Sequence, residues 1–199
     1  MEGFVRRVIT GHDKDGKAVV LSDGMAPVVK TNPLRPGYRG TEIWKTSEMP
    51  ATISATEDDP TLGPRGLYPP PSGTLIRVTE LAPESDELRN MSPERVRSVF
   101  ETAGAGAAST YKPGARHPLM HRTETIDYAV VLEGEITLLL DDQDVVLKAG
   151  DIVIQRGNNH SWSNRSNKIC RMLYILVDGK FDPELKEQID SFDRKQGQA

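Results

Sequence analysis

Residues 121–134 read HRTETIDYAVVLEG. A histidine opens the stretch, Asp127 stands at the head of an apolar run, and Glu133-Gly134 closes it as a turn. Side chains alternate along a strand, so His121 and Thr123 share one face, and Ile126 to Leu132 forms the next strand with Asp127 near its start. An ionised carboxylate without a partner is costly in an apolar interior. Asp127 is therefore either solvated or set beside something positive.

The rhythm of this stretch extends in both directions. From residue 107 onward, short apolar runs recur as AASTYK, IDYAVVL, EITLLL, DVVLK, DIVIQ, HSWSN and CRMLYILV. Glu133-Gly134, Asp141-Asp142, Ala149-Gly150, Gly157-Asn158-Asn159 and Arg165-Ser166-Asn167 separate them as turns. Many short strands at regular spacing predict an all-β barrel or sandwich. Upstream, TLIRVTEL (74–81) reads as a strand. MSPERVRSVFETAG (91–104) reads as one short helix before the barrel. Ser92 caps it, Pro93 takes its first position, Val96, Val99, Phe100 and Ala103 share a face, and Gly104 stops it. ESDELRN (84–90) reads as a solvated loop.

The N-terminal third is different. VRRVIT (5–10) and KAVVL (17–21) predict a hairpin around GHDKDG. Nine of the 14 prolines then fall between Pro27 and Pro71. That composition predicts mostly loop over 27–73, with a strand at TEIWKT (41–46). So long a loop is ordered only by lying on something else, here the main domain or a partner subunit. The tail from Asp182 predicts a helix, with Pro183 at its start and Leu185, Ile189 and Phe192 on one stripe. The expected division is an N-terminal strand and loop arm over 1–73, the barrel over 74–180, and a C-terminal helix and tail over 181–199.

Bulk composition narrows the function classes. The chain has 199 residues and a net charge of −4, enough for one domain with a core and without the basic excess that holds nucleic acid or an anionic membrane. Cys170 is the single cysteine, so no internal disulfide or thiolate zinc cluster forms, and a reducing cytoplasmic setting is expected. No apolar run has the length of a membrane span, and MEGFVRRVIT lacks the apolar segment of a signal peptide. The 91–104 helix has no partner helix and no basic face, which argues against a transcription factor.

Two stretches resemble the paired motifs of the cupins, small jelly-roll β-barrels. The first family motif, G-x5-H-x-H-x3-4-E-x6-G, is matched by His121, by Thr123 in the second histidine position, by Asp127 in the glutamate position and by Gly134; Gly114 lies one residue too far upstream. The second, G-x5-P-x-G-x2-H-x3-N, is matched by Gly150, Gly157, His160 and Asn164, with Gln155 at the proline position and one residue fewer between the glycines. The resemblance covers about residues 107–178. It implies a cupin-type jelly-roll β-barrel and a homodimer in which N-terminal strands extend the partner's sheet.

The resemblance also implies a divalent metal held by His121, Asp127 and His160, which would offset the cost of sequestering Asp127. Two imidazoles and a carboxylate suit zinc, iron, manganese or nickel and leave positions open for a substrate. Without a metal, a histidine beside Asp127 would be an acid–base pair. Thr123 is no strong ligand, although its hydroxyl can hold a metal-bound water. His117 is a substitute ligand or a loop residue, Trp162 an aromatic wall or core residue, and Gln155 and Asn164 complete the expected pocket. Arg116, Arg122 and Arg156 are considered for a substrate carboxylate, with Arg122 expected to point outward.

The function expected is a small-molecule enzyme, first a metal-dependent lyase or isomerase acting by decarboxylation, dehydration or isomerisation of an oxygenated carboxylate or enol. The alternatives are an Fe(II)-dependent dioxygenase and a non-catalytic small-ligand-binding cupin.

Overall fold

The structure, a computed structural model, describes residues 3–63 and 66–196. Eleven strands and three α-helices occur among them. The strands are β1 (Arg6–His12), β2 (Ala18–Met25), β3 (Val29–Asn32), β4 (Arg35–Thr46), β5 (Thr74–Leu81), β6 (Thr125–Glu133), β7 (Glu135–Leu139), β8 (Asp144–Lys148), β9 (Ile152–Arg156), β10 (Ser161–Ser163) and β11 (Cys170–Asp178). The helices are α1 (Asp86–Arg89), α2 (Pro93–Thr102) and α3 (Pro183–Gln196).

All pairing is antiparallel. One six-stranded sheet runs β3-β4-β5-β11-β6-β9, and a three-stranded sheet runs β10-β7-β8. β11 is central, pairing with β5 on one side and β6 on the other. The two sheets face each other over a common core: Leu81, Ala129, Val131 and Met172 from the large sheet meet Ile136, Leu138, Leu147 and Trp162 from the small one. The chain passes from β6 to β7 through Gly134 alone. Its φ of +81° suits glycine, and a Cβ there would lie 2.7 Å from the Ile169 carbonyl oxygen. The fold is thus all-β, of jelly-roll kind, with a C-terminal helix.

Alternation decides which side chains enter the barrel. In β6, Thr125, Asp127, Ala129 and Val131 are buried, while Tyr128 and Leu132 are exposed on the outer face. In β9, Gln155 is buried, and Ile152 and Ile154 are exposed. Among the described residues, no helix is long and apolar enough to cross a membrane.

Several expectations need correction. AASTYK forms no strand: residues 106–108 make a 3-10 turn, and Ser109 makes only an isolated bridge to His121. The predicted strand at 41–46 begins instead at Arg35, so a large part of the arm is sheet rather than loop. Pro36 and Gly37 read as breakers, yet they lie in an irregularity of the β3–β4 pairing, between Asn32↔Arg35 and Thr31↔Arg39, and Tyr38 to Thr46 pair with β5. The ESDELRN loop contains α1, whose N-cap Ser85 accepts a hydrogen bond from the Leu88 N–H. The predicted 91–104 helix is α2, capped by Ser92, which accepts from the Arg95 N–H. Val96, Val99 and Phe100 of α2 pack with Met91, Ala108 and Leu119 as a second core that covers one end of the barrel.

Candidate functional site

His121 and His160 meet as an antiparallel bridge between segments outside the regular strands. Each backbone N–H donates to the other residue's carbonyl, at 2.8 and 2.9 Å. The pairing brings the two rings to 4.2 Å between centroids. Each Nδ1 lies 3.0 Å from a backbone carbonyl oxygen, that of Leu119 for His121 and that of Asn158 for His160. A carbonyl only accepts, so each neutral ring carries its proton on Nδ1. Each Nε2 is left as a lone-pair nitrogen, with no hydrogen-bond partner among the described residues. Burial holds His121 down to about 4, with the backbone bond opposing and the Arg35 charge assisting. Burial and the His121 ring hold His160 well below the ordinary range. Both rings are therefore neutral at physiological pH.

These rings line a cavity of about 380 Å³ inside the barrel, together with Asp127, Gln155, Arg77, Tyr174 and Trp162. Trp162 is its aromatic wall, edge-on to both His160 and Tyr174. Asp127 and Gln155 are opposite one another in the β6–β9 pairing. They are 7% and 2% exposed, and Asp127 Oδ1 and both amide atoms of Gln155 have no hydrogen-bond partner. Burial raises Asp127 to about 6, against the lowering effects of the Thr125 hydroxyl and the Arg77 charge. Arg77 reaches the cavity from β5. One terminal nitrogen donates to Glu42 at 3.0 Å and to the Gly66 carbonyl, while its Nε is unpaired. Buried polar atoms without partners are uncommon in folded proteins. Their concentration around one cavity marks where a polar molecule can be held.

Of the residues singled out from sequence, His121, Asp127, His160, Gln155 and Trp162 share this cavity. Three do not line it. The Thr123 hydroxyl is spent on that of Thr125 at 2.7 Å. Asn164 donates to the carbonyls of Leu81 and Lys168 and accepts from Ser166, which makes it a turn organiser. His117 is buried on the far side of β10, where its Nε2–H donates to Glu84 and its Nδ1 accepts from the Leu119 N–H and the Ser161 hydroxyl. Ser163 donates to the same Glu84 carboxylate. This chain of bonds ties the 82–92 and 112–119 segments to β10.

Among the described residues, no three His, Cys, Asp or Glu side chains form a group that could hold a metal ion. The physical reason is the bend after His121: His121 pairs with His160, whereas Asp127 belongs to β6 and pairs across to Gln155 and Leu176. His121 and His160 thus sit ring to ring, and Asp127 enters the same cavity from β6.

The arginines considered from sequence lie elsewhere. Arg116 and Arg122 form ion pairs with Asp144 and Asp193, and Arg156 is exposed. The arginines that do line the cavity, Arg35 and Arg77, come from β4 and β5. A sequence signal for Arg77 existed in the alternation of TLIRVTEL, which places it on the face of Leu75 and Thr79.

Residues 108–176 match the cupin domain model. A phomopsin biosynthesis cluster protein C' of Diaporthe leptostromiformis is 29% identical over 180 residues, covering 87% of this chain and 78% of the relative. The oryzines biosynthesis cluster protein J of Aspergillus oryzae is 44% identical over 119 residues, covering 58% of this chain and 61% of the relative. The cupin-domain-containing oxidoreductase fogC of Aspergillus ruber is 26% identical over 178 residues, covering 87% and 72%. With two facing sheets around a cavity and the matched segment lying over their strands, the chain carries a cupin domain at residues 108–176.

Proposed function

We propose that the chain is a small-molecule enzyme of a biosynthetic pathway that moves protons within the barrel cavity, isomerising, dehydrating or decarboxylating an oxygenated substrate. The observation that carries this reading is Asp127: a carboxylate with an unpaired oxygen in the cavity, raised to about 6. A general base works best when its pKa lies near the operating pH. At pH 7 such a group is about nine-tenths ionised and still retains a proton readily once it has taken one.

The groups around it fit that role. Asp127 Oδ1 takes a proton from a carbon next to a carbonyl, and the C–H electron pair moves onto the carbonyl oxygen. The unpaired Gln155 amide N–H and the nearby Arg77 guanidinium are donors for the enolate oxygen that forms. The proton then returns to a different carbon, or leaves with a hydroxyl group as water; in a decarboxylation the C–CO2 bond breaks instead, its electron pair moves onto the carbonyl oxygen, CO2 leaves, and protonated Asp127 delivers a proton to the carbon. The lone pairs on His121 and His160 accept hydrogen bonds from substrate hydroxyls, because both rings stay neutral. A divalent ion, if bound, would be held by His121 and His160 and would supply Lewis-acid stabilisation of the enolate; the proton steps belong to Asp127.

The second reading is an oxidoreductase, favoured by the name of the Aspergillus ruber relative. The expected Fe(II) dioxygenase belongs to this reading and needs a third donor. The homodimer is carried forward on the exposed apolar outer face of Tyr128, Ile152 and Ile154.

The test is solvent exchange. A panel of oxygenated ketones and keto acids is incubated in D2O with the protein and followed by proton NMR. The expected result is loss of the signal adjacent to the carbonyl for at least one compound, and no such loss with Asp127→Asn. Exchange that persists in Asp127→Asn, or oxygen uptake without exchange, overturns the reading in favour of the second.

A further inference from the structure

Arg35 stands at the start of β4, on the arm, and lines the same cavity as the histidine pair. Among the described residues, every other arginine that is not exposed has an ion-pair partner. Arg7 has Asp59, Arg39 and Arg171 have Glu80, Arg77 has Glu42, Arg95 has Glu87 and Arg122 has Asp193. The Arg35 guanidinium has neither an ion pair nor a hydrogen bond within that set. It lies over the Tyr38 ring, 5.2 Å from the centroid. Burial pulls it below its ordinary value, with Tyr174 and Glu84 opposing. A guanidinium does not lose its proton in proteins, so it remains a partly buried cation without an anion. Glu84, whose charge acts on Arg35, is already bound by His117 and Ser163.

We infer that Arg35 is the anion-recognising residue of the cavity and that the ligand carries a carboxylate seated on its guanidinium fork. Five N–H donors in a plane match the two oxygens of a carboxylate, and a partly desolvated site strengthens the pairing. Arg35 and Asp127 sit on strands three places apart in the sheet order, with β5 and β11 between them. Tyr174 of β11 feels the charge of both. A ligand held at Arg35 therefore extends past the aromatic wall of Trp162 and Tyr174 towards the base, with like charges kept apart. This inference rests on the proton-transfer reading only for the identity of the ligand's far end; the carboxylate subsite stands on Arg35 itself.

The probes are 3-phenylpropanoate and its uncharged isostere 3-phenylpropanamide, with binding to the full chain measured by calorimetry at pH 7.5. The carboxylate is expected to bind about tenfold tighter than the amide or better. Arg35→Gln should erase that difference while thermal melting remains cooperative, and Arg35→Lys should restore part of it. Asp127→Asn, which ends proton transfer in the reading above, should keep the preference. Equal binding of the two probes to the natural chain, no binding of the carboxylate at millimolar concentration, or an undiminished preference in Arg35→Gln overturns the proposal. Loss of the preference in Arg35→Gln together with persistent solvent exchange in Asp127→Asn would sink the proton-transfer reading alone.

Discussion

The two ends of β6 share one strand and one inward face, yet they have opposite chemistry. Ala129 and Val131 enter a dry core with Ile136, Leu138 and Met172, and all five are almost wholly buried. Two residues before Ala129, Asp127 is nearly as inaccessible but faces a cavity with unpaired donors and acceptors. The apolar end stabilises the barrel through burial and close packing. The polar end lowers stability and keeps groups ready for a ligand, the usual trade between stability and activity.

The contrast is sharpest if each end is substituted in turn. Ile136→Ala at the dry end should cost about 3 kcal/mol of unfolding free energy, read from denaturant midpoints, because it leaves a cavity in a packed core. A cost under about 1 kcal/mol would mean that the two sheets are not closely packed there.

Asp127→Asn should act in the other direction. The carboxyl is raised to about 6 in the folded chain, so between about 4 and 6 the folded state holds more protons than the unfolded one. The stability contributed by this group therefore falls as pH rises through that window, and the full cost persists above it. The substitution should stabilise by on the order of 2 kcal/mol at pH 7.5 and by little at pH 4. Melting curves at the two pH values check this. His121, held down to about 4, has the opposite sign: the unfolded chain binds its proton first, so stability is lost as pH falls from about 6.5 to 4. Equal gains for Asp127→Asn at both pH values would remove the distinction between the ends.

The smallest effect concerns metal. Saturating zinc, manganese, iron or nickel should shift the melting temperature by less than a degree or two, and dialysed protein should hold well under one equivalent of ion. Tight binding would stabilise the fold in proportion to its affinity. A large shift that vanishes in His160→Ala would establish a metal centre built on the two rings.

Most of the barrel was legible because alternation and turn residues are local signals. TLIRVTEL is β5 without adjustment, and the IDYAVVL, EITLLL, DVVLK and DIVIQ runs became β6 to β9. His121, Asp127 and His160 were legible as cavity residues through the motif spacing. Their arrangement within the cavity was not, because it depends on the bend after His121 and on pairing between segments nearly 40 residues apart. Arg35 was illegible for a related reason. It lies beside Pro36 and Gly37, whose local chemistry reads as loop, and only the long-range register of β4 against β5 brings the arm into the sheet. AASTYK failed in the reverse sense: its strand-forming residues found no neighbouring strand beyond one bridge.

The central place of β11 has a consequence for how the chain is made. β5 and β6 each pair with it, and neither pairs with the other. A ribosome delivers β11 after every other strand, so until residue 178 has emerged the two halves of the large sheet exist only as separate ribbons with open edges. Such edges invite pairing with other nascent chains. The covering of that gap falls on the final stretch of translation, when a single nine-residue strand joins both ribbons at once.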